Sequence, residues 1–220
     1  MNVRDFKNKV YGELATITKA LANPHRLEII ELLAQGPSSV EYIADQTALS
    51  IANASQHLQT LKGARLVATE KRGKYRYYSL ANLHVFEVWN SMRKLGLSRN
   101  AEVERLIRDF RTSRKSMETV TSGELLNRME KGSAFVIDVR PRKEYEAGHI
   151  TSAVSVPQDE LIQKLKSLPK DKQIVAYCRG PLCAMADEAV EILQEKGYRA
   201  ARLEIGYPEW ELKGLAVNVT

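Results

Sequence analysis

Cysteine is nearly missing from this chain: 2 of 220 residues, Cys178 and Cys183. Two thiols so close together cannot staple a fold, which excludes a secreted disulfide framework. Long apolar runs are missing as well. No stretch approaches the roughly 18–20 apolar residues of a membrane span, and the charged opening MNVRDFKNKVYGEL leads into no apolar signal region. No internal repeat or low-complexity tract appears. A cytoplasmic protein is expected.

What is there suits an ordinary soluble chain, 44% hydrophobic and 27% charged, long enough for two domains. The net charge of +6 hides an asymmetry. Residues 1–117 carry 19 Lys/Arg against 11 Asp/Glu, a balance of +8, and residues 118–220 carry 14 against 16, a balance of −2. One half is fitted to meet a polyanion and the other is not, although a solvated basic surface gives the same count.

In the basic half, the spacing of VYGELATITKALA predicts an amphipathic helix, and PHRLEIIELLAQG a second with Pro24 in its first turn. A short helix over Val40 to Gln46 then meets a tight connection, and Ser50 is placed to cap a helix from Ile51 to about Lys62. That is a helix-turn-helix. LVATE, the turn KRGK and YRYYSL follow as a hairpin with Gly73 at its tip and Lys71, Arg72, Lys74 and Arg76 around it. Cations on such a wing reach phosphates or the minor groove; they also keep an edge hairpin soluble. On the second helix of the motif, Asn53, Ser55, Gln56, Gln59 and Thr60 are short polar groups suited to base edges and phosphates, while Leu58 and Leu61 should face inward.

The stretch from LANPHRLEII to KYRYYSL resembles the winged helix-turn-helix of the ArsR/SmtB repressors over about residues 10–95. The resemblance implies a homodimer joined through the first helix and the helix after the wing, NLHVFEVWNSMRKLG. It also implies an inverted-repeat DNA operator as partner. His57 in SQHL is the family's usual histidine, read either as facing DNA or as a packed residue. Metal sensing, frequent in that family, is not expected. VEYIADQ has no cysteine, and His84 with Glu87 falls short of a tetrahedral ligand set. No metal and no cofactor is called for.

Residues 98–118 are read as a helical linker, with Val103, Leu106, Ile107 and Phe110 on one face and TSRKS, 112–116, as its flexible point. The domains are thus placed at 1–97 and 119–220. In the second, Thr121 and Glu124 form a capping box. SAFVIDV, SAVSVP, KQIVAY and RAARLEIG read as strands alternating with the helices DELIQKLKSL and AMADEAVEILQEKG. Alternation of this kind implies an α/β domain with a parallel sheet, beside a mainly α first domain.

CRGPLC sits where a strand gives way to a helix, the place where such sheets bind ligands. Helix-start N–H groups and the helix dipole favour an anion, so the thiol of Cys178 is expected to ionise below the free value of about 8.5, helped by Arg179. Arg179, Gly180, Pro181, Leu182 and Ala184 would line the sulfur- or anion-binding loop. A small buried residue at the strand end is the plainer reading of Cys178.

Over about residues 119–219, DVRPRKEYEAGHITSAVSVPQDEL, IVAYCRGPLCA and LEIGYPEWELKGLAV resemble a single-domain rhodanese. The resemblance implies that Cys178 is the nucleophile that takes sulfane sulfur as a persulfide. Its six-residue loop implies sulfur transfer rather than phosphatase or arsenate reductase activity, and Asp138, Arg140, Glu144 and His149 would brace the loop. Two departures stand out. Pro181 holds a place often given to Gly and lacks an N–H, and Cys183 replaces the usual closing residue. Cys183 is therefore either a resolving thiol or a packed residue of the first helical turn. The expected function is a DNA-binding regulator, a repressor, that senses sulfane sulfur from polysulfide, persulfide or thiosulfate. The alternatives are a thiosulfate or mercaptopyruvate sulfurtransferase tethered to DNA, and a repressor with an inert rhodanese domain.

Overall fold

The computed structural model describes residues 1–112 and 117–219. The chain divides into two compact units, Met1–Ser91 and Met92–Thr220.

In the first unit, α1 (Val3–Leu21) begins seven residues before the expected helix. Asn2 caps it, its side-chain oxygen accepting the Asp5 N–H at 2.8 Å, and Asp5 suits the positive helix start. Asn23 caps α2 (Pro24–Leu33), with Pro24 in the first turn as expected. β1 (Ser38–Ser39) leads into α3 (Val40–Gln46), capped by Ser39, and α4 (Ile51–Gly63), capped by Ser50. The turn between these helices passes through Ala48 at φ 52°, the left-handed region. β2 (Val67–Arg72) and β3 (Tyr75–Leu80) form the antiparallel wing, with Gly73 at φ 62° in its turn. β1 pairs with β3 on its other side. The first part of α5 (Leu83–Arg99) closes the unit with Val85, Phe86 and Trp89 buried. Ile29, Ile30, Ile43, Leu58, Leu61 and Phe86 are fully buried. Each such side chain contributes about 1.5–3 kcal/mol through removal from water.

α5 runs on into the second unit, where α6 (Ala101–Thr112) follows it. The expected single linker helix is broken at Asn100, whose side-chain oxygen accepts the Glu102 N–H at 3.1 Å and starts α6 afresh. The flexible point expected over 112–116 lies, from 113 onward, outside the described residues.

The rest of the unit runs β4 (Thr119–Val120), α7 (Ser122–Glu130), β5 (Ala134–Asp138), α8 (Arg142–Ala147), β6 (His149–Ile150), β7 (Val154–Ser155), α9 (Leu161–Lys164), β8 (Gln173–Tyr177), α10 (Met185–Glu195), β9 (Ala200–Leu203), α11 (Tyr207–Leu212) and β10 (Val217–Asn218). Five strands pair in parallel in the order β4-β9-β8-β5-β7, and β6 and β10 form a small antiparallel pair. The capping box of Thr121 and Glu124 starts α7. Two short pieces of 3-10 helix flank α9, so the ten-residue helix expected over DELIQKLKSL is only four residues of α-helix. Pro157 precedes it and Leu168, extended before Pro169, stops it.

Alternate residues of the central strands face opposite ways. Ile137, Ile174 and Ala176 join a core with Ala189, Val190 and Leu193 of α10. Val136, Val175, Tyr177 and Ala201 join another with Leu125 of α7 and Trp210 of α11.

Candidate functional site

The loop from Cys178 to Ala184 leaves the end of β8 and enters α10 at Met185. Here strand end and helix start bring both sulfurs among backbone donors. The Cys178 thiol donates to the Gly180 carbonyl at 3.9 Å and to the Cys183 carbonyl at 3.6 Å, and the backbone of Gly180 and Ala186 beside Cys178, and of Met185 and Arg179 beside Cys183, favours the thiolate form. Met185 and Ala186 were missed by the sequence reading, whereas Ala184 serves as the N-cap of α10 without a side-chain bond. A bond from the Cys183 N–H to the Gly180 carbonyl at 3.1 Å closes the turn.

The two thiols influence each other's ionisation. The neighbouring Cys183 thiol, and then burial, push the Cys178 thiol well up, while the neighbouring Cys178 thiol brings Cys183 down to about 7. Cys178 is 3% exposed and Cys183 is partly buried. Arg179 does not aim its charge freely at the sulfurs. Its guanidinium grips Glu144 of α8 through Nε and Nη2, at 3.0 and 2.5 Å, and its charge is the weakest of the influences lowering Cys183.

Around the loop, Arg140 is wholly buried and bonded to Asp138 and to the Gly148 carbonyl at 2.7 Å. The Tyr177 hydroxyl donates to Asp138 at 2.6 Å and accepts the Ile150 N–H at 3.1 Å. His149 stacks on Tyr145 with ring centres 3.8 Å apart. Two residues the sequence reading passed over hold the loop from beneath. Glu209 accepts the Gly206 N–H at 2.9 Å and an Arg93 N–H at 2.6 Å. A Cβ on Gly206 would lie 2.3 Å from the Arg179 carbonyl, so only glycine permits this approach. The spacing Gly206-x-x-Glu209, a helix-start pattern, was the available signal.

Leu106, Ile107, Phe110 and Arg111 of α6 meet Pro181, Leu182 and Cys183 around a cavity of about 230 Å³. Arg111 donates to the Pro181 carbonyl at 2.5 Å.

In the first unit, Asn53, Gln56 and Thr60 lie exposed at helical spacing along α4, with Leu58 and Leu61 buried as expected. Ser50 is engaged as the cap, accepting the Asn53 N–H at 3.2 Å, and Ser55 is half-buried. The Gln59 amide reaches the Tyr78 hydroxyl of β3 at 3.4 Å. His57 is half-buried, its ring centre 5.5 Å from that of His25, and burial followed by the charges of His25 and Arg26 lowers its pKa. On the wing Arg72 is paired with Glu70 at 2.8 Å and lies over Tyr77, Lys74 lies over Tyr75, and Arg76 is exposed. Among the described residues no group of three or more His, Cys, Asp or Glu could hold a metal ion, and no helix is long and apolar enough to cross a membrane.

Comparison with known proteins agrees with both halves. A helix-turn-helix domain model matches residues 21–70 and a rhodanese-like domain model residues 121–213. The HTH-type transcriptional regulator Rv0324 of Mycobacterium tuberculosis is 40% identical over 214 residues, covering 97% of this chain and 94% of its own. The arsenical resistance operon repressor of Staphylococcus xylosus is 37% identical over 32% of this chain and 67% of its own. A sulfurtransferase of Allochromatium vinosum is 30% identical over 38% of this chain and 77% of its own. The chain belongs to the HTH-type transcriptional regulators in which an ArsR-like winged helix-turn-helix is joined to a rhodanese-like domain.

Proposed function

We propose that the chain is a cytoplasmic, homodimeric repressor whose rhodanese-like domain captures sulfane sulfur on the Cys178–Cys183 pair and so changes its affinity for an inverted-repeat operator. The observation that carries this reading is the placement of both cysteines on the one loop between β8 and α10, with the Cys178 thiol donating to the Cys183 carbonyl at 3.6 Å. A persulfide formed on one cysteine is attacked by the other. A Cys178–Cys183 bond forms, the bond to the terminal sulfur breaks, and that sulfur leaves as hydrogen sulfide with the attacking thiol's proton. The sulfane sulfur is reduced and the two thiols are oxidised, so no other oxidant is needed.

The DNA-binding part of the reading rests on the exposed Asn53, Gln56 and Thr60 and on the cations of the wing. Phe6, Val10, Leu14 and Ile17 support the dimer, since they leave an exposed apolar stripe along α1. Repression is supported by the similarity to the arsenical resistance operon repressor. A tenfold change of operator affinity needs only about 1.4 kcal/mol of coupling. The test is operator titration with the wild type and the Cys178→Ser/Cys183→Ser double variant, before and after inorganic polysulfide. Affinity should change for the wild type alone; an unchanged affinity for sulfur-loaded wild type contradicts the reading.

The similarity to a sulfurtransferase favours a second reading, an enzyme held near a promoter. Against it stand the buried Cys178 and the missing N–H of Pro181. Sustained turnover of thiosulfate with cyanide as acceptor would support the enzyme.

A further inference from the structure

We infer that α6 reports the state of the sulfur loop: Arg111 clasps the loop while its thiols are unbridged, and formation of the Cys178–Cys183 bridge releases it. This rests on the sulfane-sulfur reading above and adds the element that carries the loop's state to α5. Arg93 of α5 and the whole of α6 lie before the rhodanese-like domain, yet both reach its loop. Arg93 stands beside Gly180. A Cβ on Gly180 would lie 3.3 Å from a Glu209 oxygen and 3.7 Å from Arg93 Nη1, and the Arg93–Glu209 pair is almost sealed from solvent. That contact is a fixed post. The contact of α6 is different in kind. Leu106 and Phe110 line, with Pro181, Leu182 and Cys183, a cavity of about 230 Å³, and Arg111 donates to the Pro181 carbonyl at 2.5 Å. Leu106, Phe110 and Leu182 are about half exposed, so this contact is shallow enough to part while the post holds.

Bridging changes what α6 rests on. Cys183 attacks the persulfide held on Cys178, and the Cys178–Cys183 bond forms. The bond from Cys178 to the outer sulfur breaks, and that sulfur leaves as hydrogen sulfide. The sulfane sulfur is reduced and the two thiols are oxidised. The new bond holds the sulfurs about 2.05 Å apart. Cys178 is fixed in the core with Ile137, Ala176 and Val190, so Cys183 is the one drawn inward, away from the wall it forms beneath α6. Charge acts in the same direction. Burial, and then the charge of Arg202, weigh against the Arg111 cation, whereas Asp187 and an anion at Cys178 favour it. A bridged pair bears no charge, and Asp187 is already paired with Arg202 at 2.9 Å. Only Asn100 separates α6 from α5, and the first part of α5 completes the core of the DNA-binding unit, so release of α6 acts on that helix.

The test follows backbone hydrogen exchange over residues 101–111 of the full chain before and after loading with inorganic tetrasulfide. Sulfur on each cysteine is counted by mass spectrometry, and operator affinity is measured on the same samples. Bridged wild type should exchange about tenfold faster in α6 than the reduced protein. Cys183→Ser, which takes sulfur on Cys178 but forms no bridge, should stay within about twofold of its unloaded rate. Arg111→Met should exchange fast before any loading, and its operator affinity should already match that of bridged wild type. Leu106→Ser, at a half-exposed site, weakens the same contact without touching the cation and should shift both readouts in the same direction. No bridge in loaded wild type, unchanged α6 exchange in bridged wild type, or release in loaded Cys183→Ser overturns this inference and leaves the proposed function standing. So does an operator response of Arg111→Met and Leu106→Ser equal to that of wild type. Released α6 with unaltered operator affinity in bridged wild type overturns the proposed function, together with the link to α5.

Discussion

Glu209 binds Arg93 at 2.6 Å with both side chains almost sealed from solvent, and its second oxygen takes the Gly206 N–H at 2.9 Å. Removing one partner of such a pair leaves an uncompensated buried charge, a cost of about 3–5 kcal/mol. Glu209→Ala should therefore lose about 3 kcal/mol in urea unfolding. Arg93→Met combined with Glu209→Leu should recover most of it. If Glu209→Ala loses less than about 1 kcal/mol, the pair does not hold the loop.

Gly206→Ala tests the packing beneath the loop more locally. The neighbour its Cβ would meet at 2.3 Å is Arg179 backbone, which cannot swing aside as a side chain can. The loop must shift, and both thermal stability and the rate of Cys183 alkylation should change. Gly123→Ala in α7, where nothing lies within 4 Å, is the control and should be neutral or slightly stabilising. Equal effects of the two changes would deny Gly206 its special place.

The pH dependence of alkylation follows from the pair. Cys183, lowered to about 7 by the Cys178 thiol beside it, gains its reactive thiolate as pH rises through that value. Its rate should climb about fivefold between pH 6 and 7 and only about twofold above, whereas a free cysteine of about 8.5 keeps climbing to pH 9. Cys178, held up by the neighbouring Cys183 thiol and by burial, should stay slow throughout. Cys178→Ala removes that neighbour and should shift the Cys183 profile to higher pH.

On the wing, Lys74→Ala and Arg76→Ala should weaken DNA binding on all sequences alike. Each should lower the salt slope by about one per lost phosphate contact. Arg72 is held by Glu70, so Glu70→Gln should strengthen binding by releasing it. A loss confined to one base position would mean that the hairpin reads sequence.

Much of this architecture was legible because its signals are local. Ser50, Thr121 with Glu124, and Gly73 each act within four residues of their partners, and the alternation of strands and helices implied the parallel sheet. The site was legible only in part. CRGPLC at a strand-to-helix junction pointed to sulfur chemistry, but how the two thiols shift each other's ionisation depends on burial and on their approach in space. Arg93 and Glu209 lie 116 residues apart, beyond any spacing rule. The break between α5 and α6 at Asn100 falls within three residues of the boundary expected after residue 97. Arg179 was assigned to the sulfur by proximity in sequence, while Glu144 claims it in space.

The most direct test of the central claim uses a feature of the loop itself: cleavage after Arg179 separates Cys178 from Cys183. One sample of the full chain is exposed to a sulfane-sulfur donor, digested without reductant, and its operator affinity is measured in parallel. The expected result is a pair of peptides linked by a disulfide or polysulfide bridge, together with an affinity change of about tenfold or more that reductant reverses. Two separate, unmodified peptides, or a linked pair with unaltered operator affinity, would contradict the account.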